Sequence, residues 1–209
     1  MKGSAGQLHD RPIVASAHVE LLEVTGPALV LGSTQSFDVV NESKAAELGF
    51  DVVRRRSGGG VVILQPHDHV WIDVTVPRGH RLWSDDVERA SWWLGDVWCD
   101  VLSSADAAGE WRVWREKLVA SAPERVVCFA SIGPGEVVRG NNKVVGVSQR
   151  RTKDAARFQC TVFRSIDVTM YSLLLRDKVP SGLGTALGVG DALDEIAGAA
   201  VKQFTTALG

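Results

Sequence analysis

The sequence predicts an α+β fold with a mixed, largely antiparallel sheet flanked by helices, and three observations carry that prediction. Short β-prone runs come in consecutive groups, helical patterns lie between the groups rather than after every strand, and Gly, Asn and Pro punctuate the runs. With 209 residues, 45% hydrophobic and 23% charged, the chain can bury one sizeable core. Residues 1–12 read as a flexible N-terminal segment and residues 13–209 as a single domain.

Ser16 is placed to cap a short helix with Val19, Leu21 and Leu22 on its apolar side, before Gly26-Pro27 and the strand Ala28–Leu31. A helix from about Phe37 to Leu48 ends at Gly49. The β-prone stretch Asp51–Arg55 runs into Ser57-Gly58-Gly59-Gly60, followed by strands over Val61–Leu64 and Val70–Val76. From Ser84 or Asp85 a helix is expected, with Val87, Ala90, Trp93, Leu94, Val97 and Val101 as one buried stripe. Short strands follow at Trp111–Trp114, Val126–Phe129, Glu136–Val138, Val144–Val147 and Arg157–Phe163, and helices near Val168–Leu175 and Ala192–Leu208 close the chain.

Composition narrows the function. Twenty-three Lys and Arg against 25 Asp and Glu give a net charge of −2, without the basic excess that a nucleic-acid partner requires. Val61–Leu64 and Ala197–Val201 are among the longest apolar runs, far below the roughly 20 residues of a membrane span, so no membrane partner is expected. Met1–Arg11 lacks the apolar stretch of a secretory signal, and a cytoplasmic location follows. Cys99, Cys128 and Cys160 are odd in number and far apart, which predicts reduced thiols and no metal site. His67-Asp68-His69 belongs to a turn after Pro66 rather than to a metal centre, because no further Cys/His cluster supports it.

Two stretches can carry chemistry. In Arg54-Arg55-Arg56-Ser57-Gly58-Gly59-Gly60-Val61 three glycines free the backbone to lie against a ligand, with N–H groups converging on an anion and arginines adding charge. The alternative is a sharp hairpin with solvated arginines. In Gly140–Arg151, Lys143 opens a strand and either points into a cleft as a movable charge or is a solvated turn lysine. Gly146, inside that strand, allows close approach of a backbone or a ligand.

Together these stretches resemble the lipoate protein ligase and octanoyltransferase family. Arg54-Arg55-x-Ser57-Gly58-Gly59-Gly60-x-Val62 is similar to its R-R-x-S-G-G-G-x-V signature, and Gly140–Arg151 to its G-x-K-[IV]-x-G-x-[SA]-Q-R segment, in the same order. The resemblance implies a biotin/lipoyl ligase-like catalytic domain. It would attach lipoate or octanoate to a lysine of a lipoyl-domain or H-protein type acceptor through an acyl-adenylate, with ATP and Mg2+. Arg54, Arg55, Ser57, Gly58, Gly59, Gly60, Gly146 and Ser148 would border the acyl-adenylate, and Lys143 would contact the acyl carbonyl and phosphate.

A second route inside the same family takes the acyl group from acyl carrier protein onto a cysteine, needs no cofactor, and has its nucleophile in a Cys-Phe pair ahead of the lysine. Cys128-Phe129 falls at that place, although a buried strand cysteine is the plainer reading of the residue. Other features depart from the family pattern. Gly133-Pro134-Gly135-Glu136 replaces the Arg-Asn-Asp stretch used for magnesium, no histidine follows Lys143, and the chain after Ser165 is too short for the small C-terminal domain of many ligases. These departures leave open a third reading, a non-catalytic lipoate-binding or assembly subunit. The remaining tryptophans, among them Trp93, Trp98 and Trp114, read as core or as the wall of an acyl tunnel.

Overall fold

The computed structural model describes all 209 residues. In chain order the elements are β1 (Lys2–Gly3), α1 (Ala5–Asp10), β2 (His18–Val24), β3 (Ala28–Leu31), α2 (Glu42–Glu47), β4 (Asp51–Arg54), β5 (Val62–Leu64) and β6 (His69–Pro77). They continue with α3 (Trp92–Ala105), β7 (Trp111–Val113), β8 (Val137–Arg139), β9 (Asn142–Arg151), β10 (Ala155–Phe163), α4 (Val168–Leu174) and α5 (Leu193–Leu208).

Seven strands form one sheet in the order β1-β2-β6-β10-β9-β8-β7, antiparallel except for the β1/β2 pair. Three form a second sheet, β4-β3-β5. The alternation of β6 assigns its two faces. Val70, Ile72, Val74 and Val76 join the core under α3 and α5, whereas Trp71 joins the core shared with the small sheet. The large sheet is thus covered by helices on one side and by the small sheet on the other, the α+β arrangement expected. α5 buries Leu193, Ile196, Ala200, Phe204 and Leu208 at helical spacing, and α3 buries Leu94, Trp98, Val101 and Leu102. No helix is long and apolar enough to cross a membrane.

Several expectations are corrected. Ser16 caps no helix; His18–Val24 is a strand, because pairing with β6 outweighs the weak local helix pattern. The helix expected from Phe37 is broken into a 3-10 turn at 37–39 and α2, whose N-cap Asn41 accepts from the Lys44 amide (3.2 Å). α3 starts at Trp92, and Val87 is 59% exposed outside its buried stripe. The N-terminal segment is folded: Ser4 and Gln7 form a reciprocal capping box for α1, which buries Ala5, Leu8 and His9.

Candidate functional site

The glycine turn is no hairpin. β4 is parallel to β3 and β5 antiparallel to it, on its two sides, so residues 55–61 cross over the end of β3. The crossing is tight. Gly59 has φ 98°, and a Cβ on Gly60 would lie 2.6 Å from the Val127 carbonyl carbon and 2.7 Å from the Cys128 nitrogen. The Val61 amide donates to Val126 O (2.7 Å) and the Cys128 amide to Val61 O (3.0 Å), which ties the turn to the Cys128 segment.

Arg55 is turned inward and still lines the cavity between the two sheets. Its buried guanidinium donates to Gly58 O (2.8 Å), Gly60 O (2.9 Å) and Val30 O (3.3 Å), so it clamps the turn from inside. Arg54 lies away from the site: exposed, it donates to Gln35 O (2.7 Å) and stacks on Phe37. Ser57 and Ser148 are brought together, Oγ to Oγ at 3.0 Å, and Ser57 Oγ also donates to Gln159 Oε1 (3.3 Å). The amides of Gly58, Gly59 and Gly60 donate to no protein acceptor.

Lys143 is the second residue of β9 and only 2% exposed, which rules out a solvated turn lysine. Its Nζ contacts Glu136 Oε1 (2.6 Å), Cys128 O (2.9 Å) and Ser131 O (3.2 Å), and lies 3.9 Å from Cys128 Sγ and 4.8 Å from the Phe129 ring centre. Burial works against its charge, but Cys128 and Glu136 more than offset it and hold the ammonium above the ordinary lysine range. Burial pushes the Glu136 carboxyl up, while Lys143 and the amides of Gly133 (2.7 Å) and Val147 (3.1 Å) favour its ionised form. The pair is therefore sealed and closely hydrogen-bonded.

Cys128 opens a 3-10 turn at 128–130 rather than sitting in the strand expected at Val126–Phe129, and its thiol is only partly buried. It lines the cavity between the two sheets, with Arg55 and Val62 on one side and Gly146, Ser148, Gln159, Thr161 and Trp71 on the other. Trp71, rather than the tryptophans singled out earlier, forms the aromatic wall. A Cβ at Gly146 would lie 3.0 Å from the Phe129 ring, so this glycine makes room for the residue after Cys128. Behind Phe129 a second cavity is lined by Trp114, Ile132, Asn141, Lys143 and Thr185. Lys143 thus reaches the thiol from the second cavity.

The other thiols differ. Cys160 is fully buried and burial pushes it up to about 12; burial and the nearby Asp96 push Cys99 up to about 11. At the far side of the first cavity, His9 of α1 stacks on Trp71 with ring centres 4.4 Å apart. Burial, then the nearby Arg55 and Arg157, lowers His9 to about 3, so the ring is neutral. Gln159 joins it to Asp73, which also accepts from Trp71 Nε1 (2.7 Å) and pairs with Arg11 (2.9 Å).

Sequence reasoning missed Glu136, His9, Trp71 and Gln159. Trp71 and Asp73 did leave a signal as large or polar residues alternating within an otherwise aliphatic strand, and Ser4-x-x-Gln7 marked α1. Glu136 left none beyond its place before the lysine segment.

A small sheet laid on a larger one, with a glycine-rich crossing and a buried lysine meeting at Cys128 on the edge of an apolar cavity, is the arrangement expected of a lipoyl ligase-type catalytic domain. Residues 10–206 match the family described as Lipoyl protein ligase A/B catalytic domain, and the chain belongs to it. Among solved structures it is similar to the Ta0514 protein of T. acidophilum with bound lipoic acid, at 16% identity and TM-score 0.72, covering 95% of this chain and 75% of that one. It also resembles lipoate-protein ligase A bound with ATP, at 16% identity and TM-score 0.72, covering 92% and 73%. LipL1 of P. falciparum in complex with lipoate, at 15% identity and TM-score 0.60, covers 92% of this chain and is covered over 48% of its own. At these identities the structures speak for the fold. No curated protein sequence matches the chain.

Proposed function

We propose that the protein transfers a medium-chain acyl group, octanoyl or lipoyl, to a lysine of a lipoyl-domain or H-protein type acceptor, with Cys128 carrying the acyl group in transit. The observation that carries this reading is the partly open thiol of Cys128, which lines the apolar cavity 3.9 Å from a buried ammonium. Cys128 Sγ attacks the carbonyl of an acyl thioester on acyl carrier protein; its C–S bond forms, the donor C–S bond breaks, and the carrier thiol takes up the proton given up by Cys128. The acceptor amine then attacks the Cys128 thioester, a C–N bond forms, the C–S bond to Cys128 breaks, and the departing sulfur is restored to a thiol by a proton released from the amine. Negative charge develops on the carbonyl oxygen in both steps; the Lys143 ammonium, its protons held by Glu136, Cys128 O and Ser131 O, acts on it as a fixed charge 3.9 Å from the thiol, and the amides of Gly58–Gly60, which have no protein acceptor, are free to donate to it.

The acyl-adenylate route of a ligase is the second reading, favoured by the cavity beside Lys143, which Asn141 and Thr185 line with further polar groups. The residues present do not fit its magnesium. Glu136, standing where the Arg-Asn-Asp stretch was expected, engages Lys143, Gly133 and Val147, and Glu124 on the cavity rim accepts from the Ser121 amide at 2.6 Å.

The mass of an apo lipoyl domain, followed after incubation with either octanoyl acyl carrier protein or lipoate plus MgATP, separates the readings. ATP-independent modification abolished by Cys128→Ser is expected. Modification that requires ATP and survives Cys128→Ser establishes the ligase, and no modification under either condition leaves a binding subunit.

A further inference from the structure

We propose that His9 is a specificity-determining residue whose Nε2–H donates a hydrogen bond to an acceptor near the far end of the acyl chain. The cavity would then favour a medium-chain acyl group with a polar atom at its tail over a plain alkyl one. The inference rests on reading the cavity as an acyl site and adds what that site selects.

The tautomer follows from the hydrogen bonds. His9 Nδ1 lies 3.4 Å from Gln159 Nε2, an atom that only donates. The orientation of Gln159 is fixed at both ends: Nε2 also donates to Asp73 Oδ1 (3.3 Å), and Oε1 accepts from Ser57 Oγ (3.3 Å). Nδ1 is therefore the acceptor and the ring proton sits on Nε2. His9 is 6% exposed, lines the cavity, and its Nε2 has no protein partner. A buried N–H without a partner is costly, and a ligand acceptor that satisfies it is favoured over one that does not.

Its place matches a chain tail. Trp71 on β6 pairs with Thr161 on β10, which pairs with Gly146 on β9, the residue against which Phe129 packs. His9 over Trp71 is thus two strand spacings from the Cys128-Phe129 side, about 10 Å. An eight-carbon acyl chain has seven C–C bonds of about 1.5 Å and spans roughly 9 Å when extended. With the carbonyl at Cys128, the last carbons come to His9.

Calorimetric titration of wild type and His9→Phe with octanoic, 8-hydroxyoctanoic and lipoic acids tests this, since phenylalanine keeps the stack on Trp71 and removes the donor. The expected result is that the affinity of 8-hydroxyoctanoic acid relative to octanoic acid falls at least about tenfold in His9→Phe, in line with loss of a buried hydrogen bond. Lipoic acid, with weaker sulfur acceptors, is expected to shift the same way by less. In wild type, nitrogen-15 NMR of the His9 Nε2–H is expected to shift with the hydroxy acid and not with octanoic acid, a readout independent of whether the variant folds. Octanoic acid that binds with an unchanged ratio in the variant, or an Nε2–H resonance indifferent to both acids, overturns the role of His9 and leaves the acyl site standing. Failure of every acid to bind removes the acyl reading itself, and this inference with it.

Discussion

Two buried polar clusters stand at the ends of the apolar cavity, the first reaching it only through Cys128. At one end Lys143 is surrounded by Glu136, two backbone carbonyls and the Cys128 thiol. At the other, Asp73, two arginines, Trp71 and Gln159 hold the ring of His9 so that one N–H remains unpaired. The first concentrates charge where a carbonyl would react, and the second reduces charge to a single neutral donor where a chain would end. Burial does different work at the two ends: it strengthens electrostatics at the thiol and makes an unmet hydrogen bond costly at the tail.

The largest expected effect breaks the charged end. Lys143→Met should slow acyl transfer by about 10² to 10³-fold, the scale of losing an oxyanion-stabilising group. It should also lower stability by about 3–5 kcal/mol, because Glu136 is left buried and uncompensated. Adding Glu136→Gln should restore most of the stability in urea unfolding and none of the rate. Recovery of both would reduce Lys143 to a structural role.

Gly60→Ala comes next. The added Cβ would press on the Val127-Cys128 backbone, and a loss of about 1–3 kcal/mol in urea unfolding is expected, together with slower transfer. An alanine variant as stable as wild type would contradict the close crossing of the two segments.

The neutral end is tested by pH. His9 titrates near 3 and His69 near 4 in the folded chain, against 6.5 when unfolded. Between these values the unfolded chain takes up protons that the folded chain does not, so stability is complete above pH 6.5 and is lost as pH falls toward 3. Each histidine contributes at most about 1.4 kcal/mol per pH unit. His9→Phe should lower the slope of unfolding free energy against pH by up to about 1.4 kcal/mol per unit between pH 4 and 6, and an unchanged slope would place His9 elsewhere. The smallest effect compares thiols: iodoacetamide followed by peptide mapping should label Cys128 before Cys99, with Cys160 resisting until the protein unfolds.

The two ends were unequally legible in the sequence. Gly58–Gly60 and Lys143 stood out because each combines a rare local pattern with a chemical purpose, and the structure brings both to Cys128. Apart from β1 and β2, the strands of the large sheet were also readable, as were the last two helices, since period-two and period-3.6 patterns survive in single segments. Glu136 and His9 were hidden because their roles depend on partners far away in sequence: Glu136 needs the β8/β9 pairing, and His9 needs α1 to pack against β6. Arg54 and Arg55, equal in the sequence, separate only when β4 ends and turns one guanidinium inward and the other to solvent.

Mass spectrometry of the intact protein after brief exposure to octanoyl acyl carrier protein, without ATP, tests the central claim most directly. An octanoyl adduct on Cys128, removed by hydroxylamine and passed to an apo lipoyl domain on mixing, is the expected result. A protein that modifies the lipoyl domain while never carrying an acyl group on Cys128 would contradict it.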